Sequence, residues 1–86
     1  MAEYKITIAR SARKELQALA LDMAERVLQR IESLSANPRP SGCKKLSGST
    51  DLWRIRISDY RVVYRIDDTN RNVDVTVVRH RREVYR

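Results

Sequence analysis

Residues 51–66, DLWRIRISDYRVVYRI, hold two alternating runs on either side of Ser58-Asp59, a pair that favours tight turns. Side chains alternate between the faces of a strand with period two. Trp53, Ile55 and Ile57 therefore share one face of the first run, and Arg54 and Arg56 share the other. In the second run Tyr60, Val62, Tyr64 and Ile66 lie together, opposed by Arg61, Val63 and Arg65. Paired antiparallel, the runs make a hairpin with one apolar face and one face of guanidinium groups. Whatever else the chain forms has to cover the apolar face. The arginine face admits two readings, a solvated surface or a seat for a polyanion. Residue type favours the second. A fold needing only solubility more often mixes in acids, whereas arginine never loses its proton and grips phosphate oxygens in pairs.

The rest of the chain supplies the cover. Tyr4, Ile6 and Ile8 alternate as one face of a first strand. Ser11 is the expected N-cap of a short helix with Ala12, Leu16 and Leu19 on one stripe. Asp22, with Glu25 three residues on, reads as a capping box opening a second helix. Its buried face is predicted from Met23, Ala24, Val27, Leu28, Ile31 and Leu34. Pro38 and Pro40 stop that helix, and a loop carrying Lys44 and Lys45 leads to the hairpin. A polar turn at 67–72 precedes a last strand opened by Val73, Val75 and Val77.

This order predicts a single α+β domain over residues 1–86. A helix hairpin covers one face of a mainly antiparallel four-stranded sheet, and the other face stays open. Unbroken alternation in the last strand would point Arg79 and Arg81 toward the helices. Burying guanidinium groups there is costly, so the strand is expected to end, twist or bulge near Val78 to Arg79.

Composition narrows the function classes. The 86-residue chain carries net charge +7, and all nine Lys or Arg residues from Arg54 onward are arginine. That balance suits nucleic acid or an acidic protein. A membrane partner is not expected, because no apolar run approaches the ~20 residues of a span. The N-terminus has no signal-peptide pattern, and the single Cys43 fits a reducing cytoplasm. One Cys and one His argue against a zinc site built by this chain alone, and no metal or cofactor is expected.

The loop KKLSG, the run LWRIRISDYRVVYRI and the ending VVRHRREVYR together resemble toxins of the RelE type, within the RelE/ParE superfamily of bacterial and archaeal toxin–antitoxin systems. The resemblance spans the whole chain. It implies a small microbial-RNase-like fold and a ribosome-dependent endoribonuclease that cleaves mRNA in the A site and so inhibits translation. The implied partners are the ribosome, mRNA and a cognate antitoxin, in a toxin–antitoxin hetero-oligomer.

By the same resemblance, Arg61 matches the arginine that stabilises the phosphate, and Arg54 and Arg56 match basic strand positions near the scissile bond. Arg81 matches a second catalytic arginine, with Arg79 as the alternative alignment, and Tyr85 matches a C-terminal tyrosine that stacks on a base or assists proton transfer. Lys44, Lys45, Arg65, Arg79, His80 and Arg82 are the expected RNA contacts. Arginine is a poor general base; His80 alone has an ordinary pKa suited to acid–base work near neutrality. Two alternatives stand beside the nuclease: a ParE-like poison of DNA gyrase, and a non-catalytic RNA- or ribosome-binding module.

Overall fold

The computed structural model describes residues 3–48 and 51–80. Within them the chain runs β1 (Lys5–Ile8), α1 (Arg10–Gln17), α2 (Leu21–Ser33), β2 (Lys44–Lys45), β3 (Leu52–Ile57), β4 (Tyr60–Asp67) and β5 (Asn72–His80). The strands form one sheet in the order β1-β5-β4-β3-β2. Strand β1 lies parallel to β5, and the other three pairings are antiparallel. The α+β class and the helix pair are as expected, but the sheet has five strands, not four. Lys44 and Lys45, expected in a loop, pair with Arg54 and Trp53 at the edge of β3.

Both helices start without the predicted caps. Ala9 precedes α1 in an extended conformation with no side-chain capping bond. Its amide still donates to the Val75 carbonyl at 2.8 Å, so the chain leaves the sheet and enters the helix one residue before Ser11. At α2 the extended residue is Ala20, and Asp22 sits in the first turn. There its Oδ1 accepts from the Met23 amide at 2.9 Å, and a carboxylate near a helix N-terminus is favourable to the helix dipole.

The core lies between the helices and one face of the sheet. Ala12, Val27, Ile31 and Leu34 meet Ile55, Ile57, Val62, Tyr64, Ile66, Val73, Val75 and Val78. Burial of this kind is worth roughly 1.5–3 kcal/mol per large side chain. Leu28 departs from the predicted buried stripe: it is 40% exposed, beside Leu21 at 77%. These two side chains, with Ile8, Leu16 and Ala24, line an open apolar cleft between α1 and α2.

Tyr64 shows how one polar atom is accommodated in this core. Its ring is fully buried and its hydroxyl donates to the Pro38 carbonyl at 2.8 Å. Burial pushes the phenol well above the usual tyrosine range, with Cys43 adding to the effect. The bond also ties the loop after α2 to the middle of β4.

The register of β5 decides which residues face away from the helices. Tyr64 pairs with Val75 and Val63 pairs with Val77, so Thr76 is an extra residue inserted into β5. This β-bulge inverts the alternation. Before it Val73 and Val75 are buried; after it Val78 is buried, while Val77 falls opposite Val63 on the other face. The expected interruption is present, but it lies at Thr76, ahead of Val78, and β5 continues past it to His80. Val77, expected beside Val73 and Val75, is therefore on the open face. The reason is geometric: with Val73, Val75 and Val78 in the core and Arg79 facing outward, parity has to change between Val75 and Val78, and the register places the change at Thr76.

Candidate RNA-binding face

The hairpin turn sets the geometry of the site. Ser58, at φ 55, and Asp59 join β3 to β4 in a two-residue turn. The tight turn brings Ile57 opposite Tyr60, Arg56 opposite Arg61, and Ile55 opposite Val62. Across the next pairing, Arg61 lies opposite Arg79. Arg56, Arg61 and Arg79 thus form one cross-strand row over β3, β4 and β5, on the face turned away from the helices. With strands about 4.8 Å apart, the row spans roughly 10 Å.

The neighbouring row consists of Lys44, Arg54, Val63 and Val77. It adds two cations beside an apolar floor. The four hairpin arginines are therefore not one contiguous strip: Arg56 and Arg61 oppose each other, whereas Arg54 faces Val63 and Arg65 faces Leu52.

Within the row the three arginines have different settings. Arg56 is exposed, and Arg61 is only 4% exposed. Arg79 is half-exposed, with its Nε donating to Glu15 Oε2 at 2.8 Å. Like charges directly opposite across a sheet are destabilising by about 0.2–1 kcal/mol. A buried guanidinium adds a desolvation cost, and in return its field is less screened than it would be in water. The row thus brings three guanidinium groups together on one face, with the Glu15 carboxylate at its β5 end.

Other expected contacts lie elsewhere. Lys45 opposes Trp53, so it shares the parity of the core face. His80 opposes Tyr60, on the face of Val62 and Val78, and its ring meets Tyr60 edge-on with centroids 5.3 Å apart. Arg65 is exposed and pairs with Asp51 at 3.2 Å. Arg81, Arg82 and Tyr85 lie outside the described residues.

Two residues that the pattern of the sequence did not single out take prominent places. Glu15 reaches from α1 to Arg79 and to the Val78 amide. Arg39 lies over the Trp53 ring, 5.0 Å from its centroid, and holds both oxygens of Asp68 at 3.2 and 2.9 Å. The Tyr4 hydroxyl donates to Asp68 as well, at 2.6 Å. The Arg39 bonds, with help from Tyr4, hold the Asp68 carboxyl down at about 2. No local signal pointed to these hydrogen bonds, because each joins residues at least 29 apart in sequence. Among the described residues there is no cluster of three or more His, Cys, Asp or Glu side chains placed to hold a metal ion. Among them, too, no helix is long and apolar enough to cross a membrane.

Comparison with known proteins places this arrangement in a family. The family described as the ParE toxin of the type II toxin–antitoxin system parDE matches residues 6–85. The RelE1 protein of Methanocaldococcus jannaschii is 26% identical over 87 residues, covering 98% of this chain and 97% of that protein. The RelE–RelB complex of Pyrococcus horikoshii contains a chain that superposes with TM-score 0.81 at 29% identity, covering 91% of this chain and 94% of the other. The isolated RelE toxin of E. coli gives TM-score 0.79 at 30% identity, covering 95% and 90%. The chain accordingly belongs to the ParE toxin family, and is a RelE-type toxin of a type II toxin–antitoxin system.

Proposed function

We propose that the protein is a ribosome-dependent endoribonuclease that cleaves mRNA in the A site. The observation that carries this reading is the row Arg56–Arg61–Arg79, with Arg54 and Lys44 beside it, on a face that the helices leave uncovered. Such a row is suited to a phosphodiester. In the reaction a ribose 2′-hydroxyl attacks the adjacent phosphorus in line. The P–O bond to the next nucleotide breaks, leaving a 2′,3′-cyclic phosphate and a free 5′-hydroxyl. The proton leaves the 2′-oxygen, and another is delivered to the departing 5′-oxygen.

Negative charge accumulates on the non-bridging oxygens as the phosphorus becomes five-coordinate. Prepositioned guanidinium groups stabilise that charge without having to reorganise. Arg61, held between two other cations, takes this role, with Arg56 and Arg54 binding the flanking backbone. Arg81 and Tyr85 are assigned the second cationic contact and the base-stacking contact by resemblance. Positioning on the ribosome supplies much of the remaining acceleration, because a well-oriented intramolecular attack is worth up to about 7–11 kcal/mol. His80, turned to the Tyr60 side, contacts RNA at the rim of the sheet.

A cognate antitoxin is the protein partner in this reading, as RelB is for the archaeal RelE of similar fold. The cleft containing Leu21 and Leu28 offers apolar surface for such a partner. The cytoplasm is the compartment where both ribosome and antitoxin are met.

The deciding experiment is induction of the protein followed by mapping of transcript 5′ ends on translating ribosomes. Ribosome-dependent cuts with 5′-hydroxyl ends are expected. DNA damage with intact transcripts would replace the nuclease with a gyrase poison. Ribosome binding without cleavage would leave a binding module.

A further inference from the structure

Strand β1 covers β5 only from Asn72 to Val75. Beyond that, Glu15 of α1 takes over at the β5 edge. Its Oε1 accepts from the Val78 amide at 3.1 Å, as a neighbouring strand's carbonyl would. Its Oε2 accepts from Arg79 Nε at 2.8 Å. One carboxylate therefore fixes both the backbone of β5 and the side chain of the residue opposite Arg61.

Its location in the helix is a second, separate clue. Glu15 lies in the last turn of α1, where the helix dipole disfavours an acid, so local helix energetics do not account for it. Nor is the arginine row self-supporting. Arg79 opposite Arg61 is a like-charge pair, and beyond Val75 the strand is flanked by β4 but no longer by β1, so its end frays more readily.

We propose that Glu15 is a positioning residue for RNA cleavage: its carboxylate clamps the end of β5 and holds Arg79 in line with Arg61, so that the row meets the phosphodiester already assembled. This rests on the reading of the row as the phosphate site. The clamp leaves the reacting atoms to the arginines. It acts through the Val78 amide, which keeps the strand straight, and through Nε, which sets the direction of the Arg79 fork.

The test is a double-mutant cycle on cleavage by translating ribosomes, using Glu15→Ala, Arg79→Ala and the pair. Glu15→Ala is expected to lower kcat by about 10- to 100-fold, the scale of a misplaced catalytic group, with KM changing little. With Arg79 already removed, the same substitution should cost far less, because residues that act through one another are not additive. Glu15→Gln keeps an acceptor for the Val78 amide and should recover part of the rate; it also serves where the alanine variant folds poorly. In the parent the Arg79 Nε–H and the Val78 amide are expected to exchange slowly with solvent, and Glu15→Ala should release both.

Parent-like cleavage by Glu15→Ala would overturn the proposal. So would losses that simply add in the double variant, or unchanged exchange at Arg79 and Val78. Arg61→Ala separates the clamp from the nuclease reading. If Arg61→Ala abolishes cleavage while Glu15→Ala does not, only the clamp is wrong. If Arg61→Ala cleaves normally, the reading of the row as the phosphate site falls and takes the clamp's catalytic role with it.

Discussion

The two ends of the sheet arrange their arginines differently. At the end nearest the β4–β5 turn, each arginine in the network meets a carboxylate: Arg39 holds Asp68, and Arg65 holds Asp51. At the end nearest the β3–β4 turn, the strand register sets Arg56 and Arg79 on either side of Arg61. The first arrangement gives each arginine its own carboxylate and pins a loop to the sheet. The second sets three guanidinium groups side by side, with the Glu15 carboxylate at the β5 end of the row. A count of arginines would treat the two ends alike, whereas pairing and register separate a network of one-to-one ion pairs from a row of neighbouring guanidinium groups.

The comparison breaks most clearly at Arg61. Replacing it with alanine should reduce cleavage by about 100- to 1,000-fold, the usual loss when a charge-stabilising group is removed. Because Arg61 is 4% exposed, circular dichroism must confirm folding, and Arg61→Lys gives a second variant that retains the charge. Normal cleavage by a folded Arg61→Ala protein would erase the distinction between the ends.

Tyr64→Phe tests the loop anchoring of the paired end. It leaves the Pro38 carbonyl without the Tyr64 hydroxyl and should cost about 1–3 kcal/mol of stability by denaturant unfolding, with cleavage little changed. A large loss of activity at unchanged stability would show that this end is not merely structural.

Smaller effects sharpen the contrast. Arg54→Ala or Arg56→Ala should make log affinity for single-stranded RNA fall less steeply with log salt, by about 0.7 in slope for each phosphate no longer neutralised. Arg65→Ala should leave that slope alone. Its stability change should lie within about 1 kcal/mol, because the pair with Asp51 is largely exposed.

The smallest expected effect is in acid. The Asp68 carboxyl is depressed to about 2, so its contribution to stability is fully present above the usual carboxylate range. It is lost as pH falls from about 4 through 2. Asp68→Asn should flatten the stability curve over that interval, and carbon-13 NMR should follow the titration directly. A midpoint near 4 would mean that Arg39 and Tyr4 do not hold the carboxylate in solution.

Much of this was legible in the sequence because its causes are local. The hairpin faces followed from strict alternation around Ser58-Asp59, and the helix cover followed from the spacing of Val27, Ile31 and Leu34. The need to turn the C-terminal arginines outward followed from the cost of burying charge. The position of the turnover did not. Thr76 is an ordinary strand residue, and only the paired register shows it to be the inserted one.

The fifth strand was hidden for a related reason. Two residues are too few to display a period, and Lys44 and Lys45 pair only because β3 leaves an edge available. Glu15 and Arg39 were invisible because their partners come from distant parts of the chain. The helices begin away from the expected caps because the adjoining extended residue, Ala9 or Ala20, determines where each one starts.

The bulge at Thr76 makes a sharp genetic prediction. Removing that one codon would leave the composition almost untouched, yet every downstream side chain in β5 would exchange inside for outside. Val78 would be driven into water and Arg79 into the apolar layer, so a deletion smaller than many harmless loop changes should yield a protein unable to fold. Insertion of a second residue there should be nearly as damaging, whereas Thr76→Val, which preserves the count, should be tolerated.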